Sequence, residues 1–344
     1  MVVAGVPPLS TEPSIHAVTP PNPKPRTVKA LRGGLRVRVL LRIIDRLSPN
    51  ARGIFAMLGA MAAFSFGDAL MKLSTGYLPP GESIFVRGLI GSAIIWTVAA
   101  RSGALEALPR LLHPQLPYRT LGDMGASFFY IGALPHIQLA EAGAIMQTNP
   151  LAITAAAAIF LGEKVGWRRW SATGIGFLGA LMIIQPGSST FTWASLLVVL
   201  AVLAAVMRDI VTRSLIGIPA VLITGTAVTS TMLASLAFAF FENWHTPTLF
   251  DVLCLSGAAL CMLAGQVLVV TSIRAGDVSA VVPFRYSAML WTLLLSAAIW
   301  HYLPNALTML GIFIVSGAGL YTFFREQTLR RQAETQRAAK GDTA

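Results

Sequence analysis

Charge is scarce in this chain: Asp, Glu, Lys and Arg make up 12% of its 344 residues, against 55% hydrophobic. That is about half the charged content usual in soluble domains, and it excludes a water-soluble globule. Cysteine is almost absent. Cys254 and Cys261 lie seven apart in one apolar stretch, where they would share a helix face and not meet in a disulfide. Two thiols are also too few for a metal cluster. The five histidines, His16, His113, His136, His245 and His301, are scattered, so no metal site or histidine-activated nucleophile is indicated. Missing too are a His-Glu-x-x-His zinc pattern, a Gly-x-Ser-x-Gly elbow and a Gly-x-x-x-x-Gly-Lys phosphate loop. The expectation is a protein that is not an enzyme, holds no cofactor and is not itself driven by ATP. Lys and Arg outnumber acids 26 to 15, for a net charge of +11, but they do not gather as a nucleic-acid surface would require.

What the chain has instead is length in apolar runs. From Ile54 onward, stretches of 17 to 23 residues alternate with short polar breaks, the hydropathy signature of a helical bundle in lipid. Ten spans are predicted, at 54–74, 81–100, 120–139, 142–161, 171–185, 194–212, 219–241, 249–273, 278–302 and 305–324. The breaks carry Pro79-Pro80-Gly81, Pro186-Gly187 and Pro304-Asn305, which stop helices. Ahead of the spans, residues 1–50 form a Pro-rich and basic extension whose first part is read as disordered. Lys29 to Arg46 suits either a helix on an anionic membrane surface or a solvated basic segment. Residues 326–344 are read as a polar tail.

With ten spans, 23 of the 26 basic residues fall on one face; the other three, Lys72, Arg87 and Arg285, lie within spans. The positive-inside rule then places both termini in the cytoplasm. An internal repeat fits this division. Ala142 to Ile184 has the order long helix, short break, glycine-rich helix, and Ser279 to Tyr321 repeats it at an offset of 137, bringing Gly174 onto Gly311 and Ala180 onto Gly317. Five spans separate the copies, so the second is inverted in the membrane. The expected fold is therefore an all-α polytopic membrane protein of two inverted five-helix repeats, residues 51–187 and 193–325, the architecture of alternating-access carriers.

At this point the residues resemble the drug/metabolite transporter superfamily with paired EamA domains. The resemblance rests on Ala140 to Gly187, with Ala142, Ala144, Pro150, Leu161-Gly162-Glu163 and then Gly174, Gly176 and Gly179. It rests also on Phe66-Gly67-Asp68-Ala69-Leu70-Met71-Lys72, Phe85-Val86-Arg87 and Pro283-Phe284-Arg285-Tyr286, which look like the subset assigned to riboflavin or S-adenosylmethionine uptake. What this implies is secondary transport of a small organic solute across a cytoplasmic (inner) membrane, riboflavin first, then S-adenosylmethionine, then export of amino acids, metabolites or drugs. The second half lacks the Gly-Glu pair after its fourth helix, so Glu163 has no symmetric counterpart.

Within the spans, charges cost at least ~2.5 kcal/mol each and usually face a bundle interior or wet cavity. Asp68 and Lys72 stand one turn apart, able to neutralise each other, and Asp68 could instead pair with Arg87. Such a trio is either a binding site or a structural ion pair. Arg285 between Phe284 and Tyr286 could stack on a planar ligand or snorkel to headgroups. Gln147 and Asn149 before Pro150, and Gln266, offer hydrogen bonds to a solute or a neighbouring helix. Phe128, Tyr130 and Trp291, with Phe129 and Trp96, could wall a pocket for a flat ring. Arg208, Asp209 and Arg213 read as a solvated helix end. The glycine-rich spans 5 and 10 read as helix-packing surfaces that would also serve a homodimer. The expected partners are thus a small-molecule substrate, membrane lipid and a second copy of the chain, and no nucleic acid.

Overall fold

The computed structural model describes residues 48–160, 166–188, 191–212, 215, 217–275 and 278–341. The readings of residues 1–46, of Leu161-Gly162-Glu163 and of Arg213 lie outside them. Among the described residues there are twelve α-helices and no strand: α1 Pro49–Ser74, α2 Pro80–Arg101, α3 Leu116–Ala133, α4 Leu139–Met146, α5 Asn149–Phe160, α6 Trp167–Ile184, α7 Trp193–Thr212, α8 Ala220–Ser235, α9 Leu249–Ala275, α10 Val278–Val281, α11 Ser287–Trp300 and α12 Ala306–Gly341.

Proline starts several of these helices, because its missing N–H falls where no intrahelical partner exists. Pro49 opens α1 after the Ser48 cap, whose hydroxyl accepts from the Ala51 N–H at 3.3 Å, and Pro80 opens α2. Seven helical stretches among the described residues are long and apolar enough to cross a membrane, and the chain is a multi-pass helical membrane protein. On α9, Leu253, Leu260 and Val267, seven residues apart, are 62%, 55% and 65% exposed. An apolar stripe of that kind is stable against lipid tails rather than water.

Three predicted spans differ from the observed helices. Span 3 stops at Ala133 and tightens into a 3-10 turn over Leu134–His136, where Pro135 cannot continue the α-helical ladder. Span 4 is two helices, α4 and α5, divided at Gln147-Thr148 just before Pro150. Span 9 begins as the short α10, passes through a 3-10 segment at Val282–Tyr286 containing Pro283, and only then becomes α11. The polar tail continues the last span as helix, since α12 runs on to Gly341; its Glu, Gln, Arg, Lys and Ala residues are strong helix formers, with no glycine or proline between Gly319 and Gly341 to interrupt them.

Packing follows a regular scheme. The principal helix pairs are α1 with α9, α3 with α7, α6 with α12 and α2 with α8; α1 also meets α11, and α7 meets α4 and α5. The main buried cluster includes Met71, Ile84, Ile131, Leu134, Leu139, Ile145, Val198, Leu255 and Met289. Where α6 crosses α12 the backbones touch: a Cβ on Gly311 would lie 2.6 Å from the Gly179 carbonyl oxygen, so only glycine fits. Gly174 and Gly317, which the repeat singles out, have open space beside them.

Candidate functional site

The polar residues that the sequence marks do not converge on one point. They fall into a group at each end of the bundle and a cavity between them. The first end is where α1 finishes and α2 begins, with the α3–α4, α8–α9 and α11–α12 connections around it; we refer to it as the Ser74 end.

There Lys72 donates to the carbonyl oxygens of Leu134 and Ile137, each at 2.6 Å, and its ammonium stands 5.5 Å from the Trp300 ring. These carbonyls are available because α3 ends in a tightened turn, leaving acceptors without intrahelical donors. Lys72 thus does not neutralise Asp68. Asp68 instead accepts from the Tyr130 hydroxyl at 3.0 Å, and no hydrogen bond joins it to Arg87 among the described residues. Next to this group, the Tyr302 hydroxyl donates to Glu141. On the far side Glu242 accepts from the Gly81 N–H at 3.1 Å and from the Trp244 indole at 3.1 Å, while buried Glu82 accepts from the His245 N–H at 3.0 Å. Asn305 and Thr308 accept from the Gln185 amide, each at 2.9 Å.

The opposite, Gln115, end carries an ionic chain. Arg119 pairs with Asp123 one turn later; Arg208 lies 3.5 Å from the other Asp123 oxygen and donates to Asp209 at 2.8 Å. The Asn149 amide donates to Asp209 at 3.1 Å, and Arg119 donates to Thr212 at 3.1 Å. The reading of Arg208 and Asp209 as a solvated helix end is therefore corrected: they bind α7 to α3 and α5. Sequence reasoning missed Arg119, Asp123, Glu141 and Tyr302. The signal for the first two was present, an Arg and an Asp at i, i+4 with Asp123 inside a predicted span.

Between the ends lies a cavity of about 80 Å³ lined by Arg87, Asp123, Ser127 and Thr231 among apolar residues of α2, α3, α8 and α9. Beside it Trp96 donates to Thr229 at 2.8 Å, so this indole holds two helices together. The remaining candidates sit elsewhere. Phe128 stacks on Phe238 at 4.8 Å between centroids, Trp291 packs into a small apolar cluster with Met57 and Val281, and Gln266 is exposed. Arg285 is exposed and forms no stack with Tyr286. Instead the Arg285 carbonyl accepts from the Gln147 amide at 3.1 Å, joining the break after α4 to the break before α11. The Tyr286 hydroxyl is buried without a partner among the described residues.

Known proteins share this arrangement of helices and sequence. Residues 51–185 match the EamA-like transporter family. The EamA match begins in α1 and ends at the residue that closes α6. Several curated relatives extend beyond it. A riboflavin transporter of Rhizobium johnstonii is 29% identical over 205 residues, 59% of this chain and 68% of the relative. The pseudopaline exporter CntI of Pseudomonas aeruginosa is 28% identical across 74% of this chain and 90% of its own. An S-adenosylmethionine uptake transporter of Rickettsia bellii is 26% identical across 82% and 97%. A solved crystal structure superimposes with a TM-score of 0.56 at 20% identity, covering 81% of this chain and 99% of the other; that likeness concerns the fold. The EamA match and the transporter relatives point away from an enzyme.

Proposed function

We propose that the protein is a secondary carrier of the drug/metabolite transporter type, moving a small organic metabolite across the cytoplasmic membrane by rocking two inverted five-helix halves. The observation that carries this reading is a single contact. The repeat offset of 137, read between Ala142–Ile184 and Ser279–Tyr321, makes Ser92 and Thr229 equivalent residues, and their hydroxyls lie 3.2 Å apart. Equivalent residues touch only on the axis that relates two halves. The helix pairs support the same axis: exchanging the halves turns α1·α9 into α7·α3 and returns α2·α8 and α6·α12 to themselves. The two broken spans, 4 and 9, are likewise equivalent and meet through Gln147 and Arg285, as expected of discontinuous helices at a carrier's midplane.

In this reading ten spans cross the membrane, both termini are cytoplasmic and the Ser74 end faces out. Asp68, Lys72, Arg87, Tyr130, Gln147 and Asn149 belong to the substrate path or its gates. Phe128, Trp291, Gln266, Arg285 and Tyr286 would be reached only in another conformation. A homodimer through the small-residue faces is compatible with it. Riboflavin remains a candidate solute through resemblance; S-adenosylmethionine uptake and metabolite export are the alternatives. Reporter fusions after Ala344, Gly187 and Asn305 should report cytoplasm, exterior and exterior. An interior signal at Asn305 would break both the ten-span count and the inverted repeat. Uptake into vesicles containing the purified protein, with a panel of radiolabelled solutes, tests transport itself.

A further inference from the structure

Arg87 differs from Lys72, Arg119 and Arg208 in having nothing to hold among the described residues. Lys72 uses its donors on two carbonyls, and Arg119 and Arg208 use theirs on carboxylates. Arg87 makes no hydrogen bond or ion pair among the described residues, and only the charge of Asp68, which it does not touch, offsets it. The residue is half-buried and lines the cavity between α2, α3, α8 and α9. A guanidinium that has left bulk water without replacing its hydrogen bonds is costly, and it is a fork of donors shaped for a planar oxyanion.

Its surroundings narrow the ligand. The Ser127 and Thr231 hydroxyls line the same cavity and have no partner among the described residues. The remaining lining is largely Ile84, Val228, Met232, Met262 and Leu263. A volume of about 80 Å³ is enough for several water molecules and gives room for a carboxylate. Asp123, which lines the same cavity from α3, is already paired with two arginines, so it does not cancel Arg87. We propose that this cavity receives a carboxylate of the carried solute, with Arg87 as its two-pronged donor and Ser127 and Thr231 completing its hydrogen bonds. The inference rests on the carrier reading above and names the substrate's chemistry. Because the wall is drawn from α2 and α3 on one side and α8 and α9 on the other, a solute anchored there touches both halves at once. Riboflavin carries no ionised carboxylate and would not use this anchor.

The test uses the purified full chain in proteoliposomes and two solute sets. One set bears a carboxylate, S-adenosylmethionine and free amino acids; the other does not, riboflavin and nucleosides. The expected result is transport of a carboxylate-bearing solute, with Arg87→Gln raising its half-saturating concentration on the order of tenfold and Arg87→Lys restoring part of it. Thermal unfolding in detergent shows whether Arg87→Gln is folded; if it is not, the Ser127→Ala/Thr231→Val pair carries the test, with a several-fold rise expected. Transport of carboxylate-free solutes alone would overturn the inference and leave the carrier reading standing, as would a carboxylate solute carried equally well by the folded variants. Transport of no solute by the unaltered protein would overturn both.

Discussion

The two ends of the bundle handle buried charge in opposite ways. At the Ser74 end the hydrogen bonds of the described charges go to neutral groups: Lys72 to carbonyls, Asp68 to a phenol, Glu141 to another phenol, Glu242 and Glu82 to backbone N–H groups, with Lys72 and Glu141 acting on each other only through space. At the Gln115 end charge is met by charge, in the run Arg119, Asp123, Arg208 and Asp209. A neutral hydrogen bond can be remade with water when helices separate, whereas parting a desolvated ion pair leaves two charges uncompensated. The Ser74 end is thus built to exchange partners, and the Gln115 end to stay shut until several pairs yield together.

The largest expected effect is at Asp123, whose side chain is 14% exposed. Asp123→Asn takes from Arg119 its carboxylate and from Arg208 one of two, and should cost about 3–5 kcal/mol in thermal unfolding, and adding Arg119→Gln should recover part of it. If the double variant is as damaged as the sum of the singles, the pairs at this end do not act as a network. Lys72→Met comes next. It leaves the Leu134 and Ile137 carbonyls without their donor, and a loss of about 2–3 kcal/mol is expected. Lys72→Arg should retain more stability, since it keeps a cation among those acceptors. Tyr302→Phe removes one bond to Glu141 at the same end and should cost about 1 kcal/mol, with transport changed more than stability if that bond opens during turnover. Asp209→Asn is the smallest: Arg208 and Asp209 are 32% and 31% exposed, so the change should stay under about 1 kcal/mol and shrink further in high salt. An Asp209 effect equal to that of Asp123 would erase the distinction between the sealed and wetted parts of this chain.

Hydropathy located the helices because lipid demands long apolar runs, and each of the ten predicted spans overlaps observed helix. The breaks inside spans 4 and 9 were foreshadowed only by Pro150 and Pro283, since a proline marks where a ladder fails without saying how the chain compensates. Partners were harder to read. Asp68 and Lys72 have ideal spacing for an ion pair, yet Lys72 reaches a helix end that becomes visible only once α3 is seen to stop at Ala133. Asp123 lies within predicted span 3, four residues after Arg119, but the sequence does not show that Arg208 of a distant helix reaches it. Residues near a span boundary look solvated in sequence whether or not a neighbouring helix covers them, and Arg208 and Asp209 were misread for that reason. Arg87 was legible as a charge in an apolar run; that it has no partner could only come from the packing.

The continuous run of α12 has a mechanical meaning. Its apolar window closes at Arg325, yet the helix proceeds without interruption to Gly341. Measured from the backbone crossing at Gly311, the distal arm is about 45 Å long at 1.5 Å per residue. A tilt of roughly 10° at that fulcrum would sweep its tip through about 8 Å, given straight helical geometry. In the proposed carrier the helix is therefore a pointer attached to one half, and a spin label or fluorophore near its tip would register rocking that is too small to follow inside the bundle.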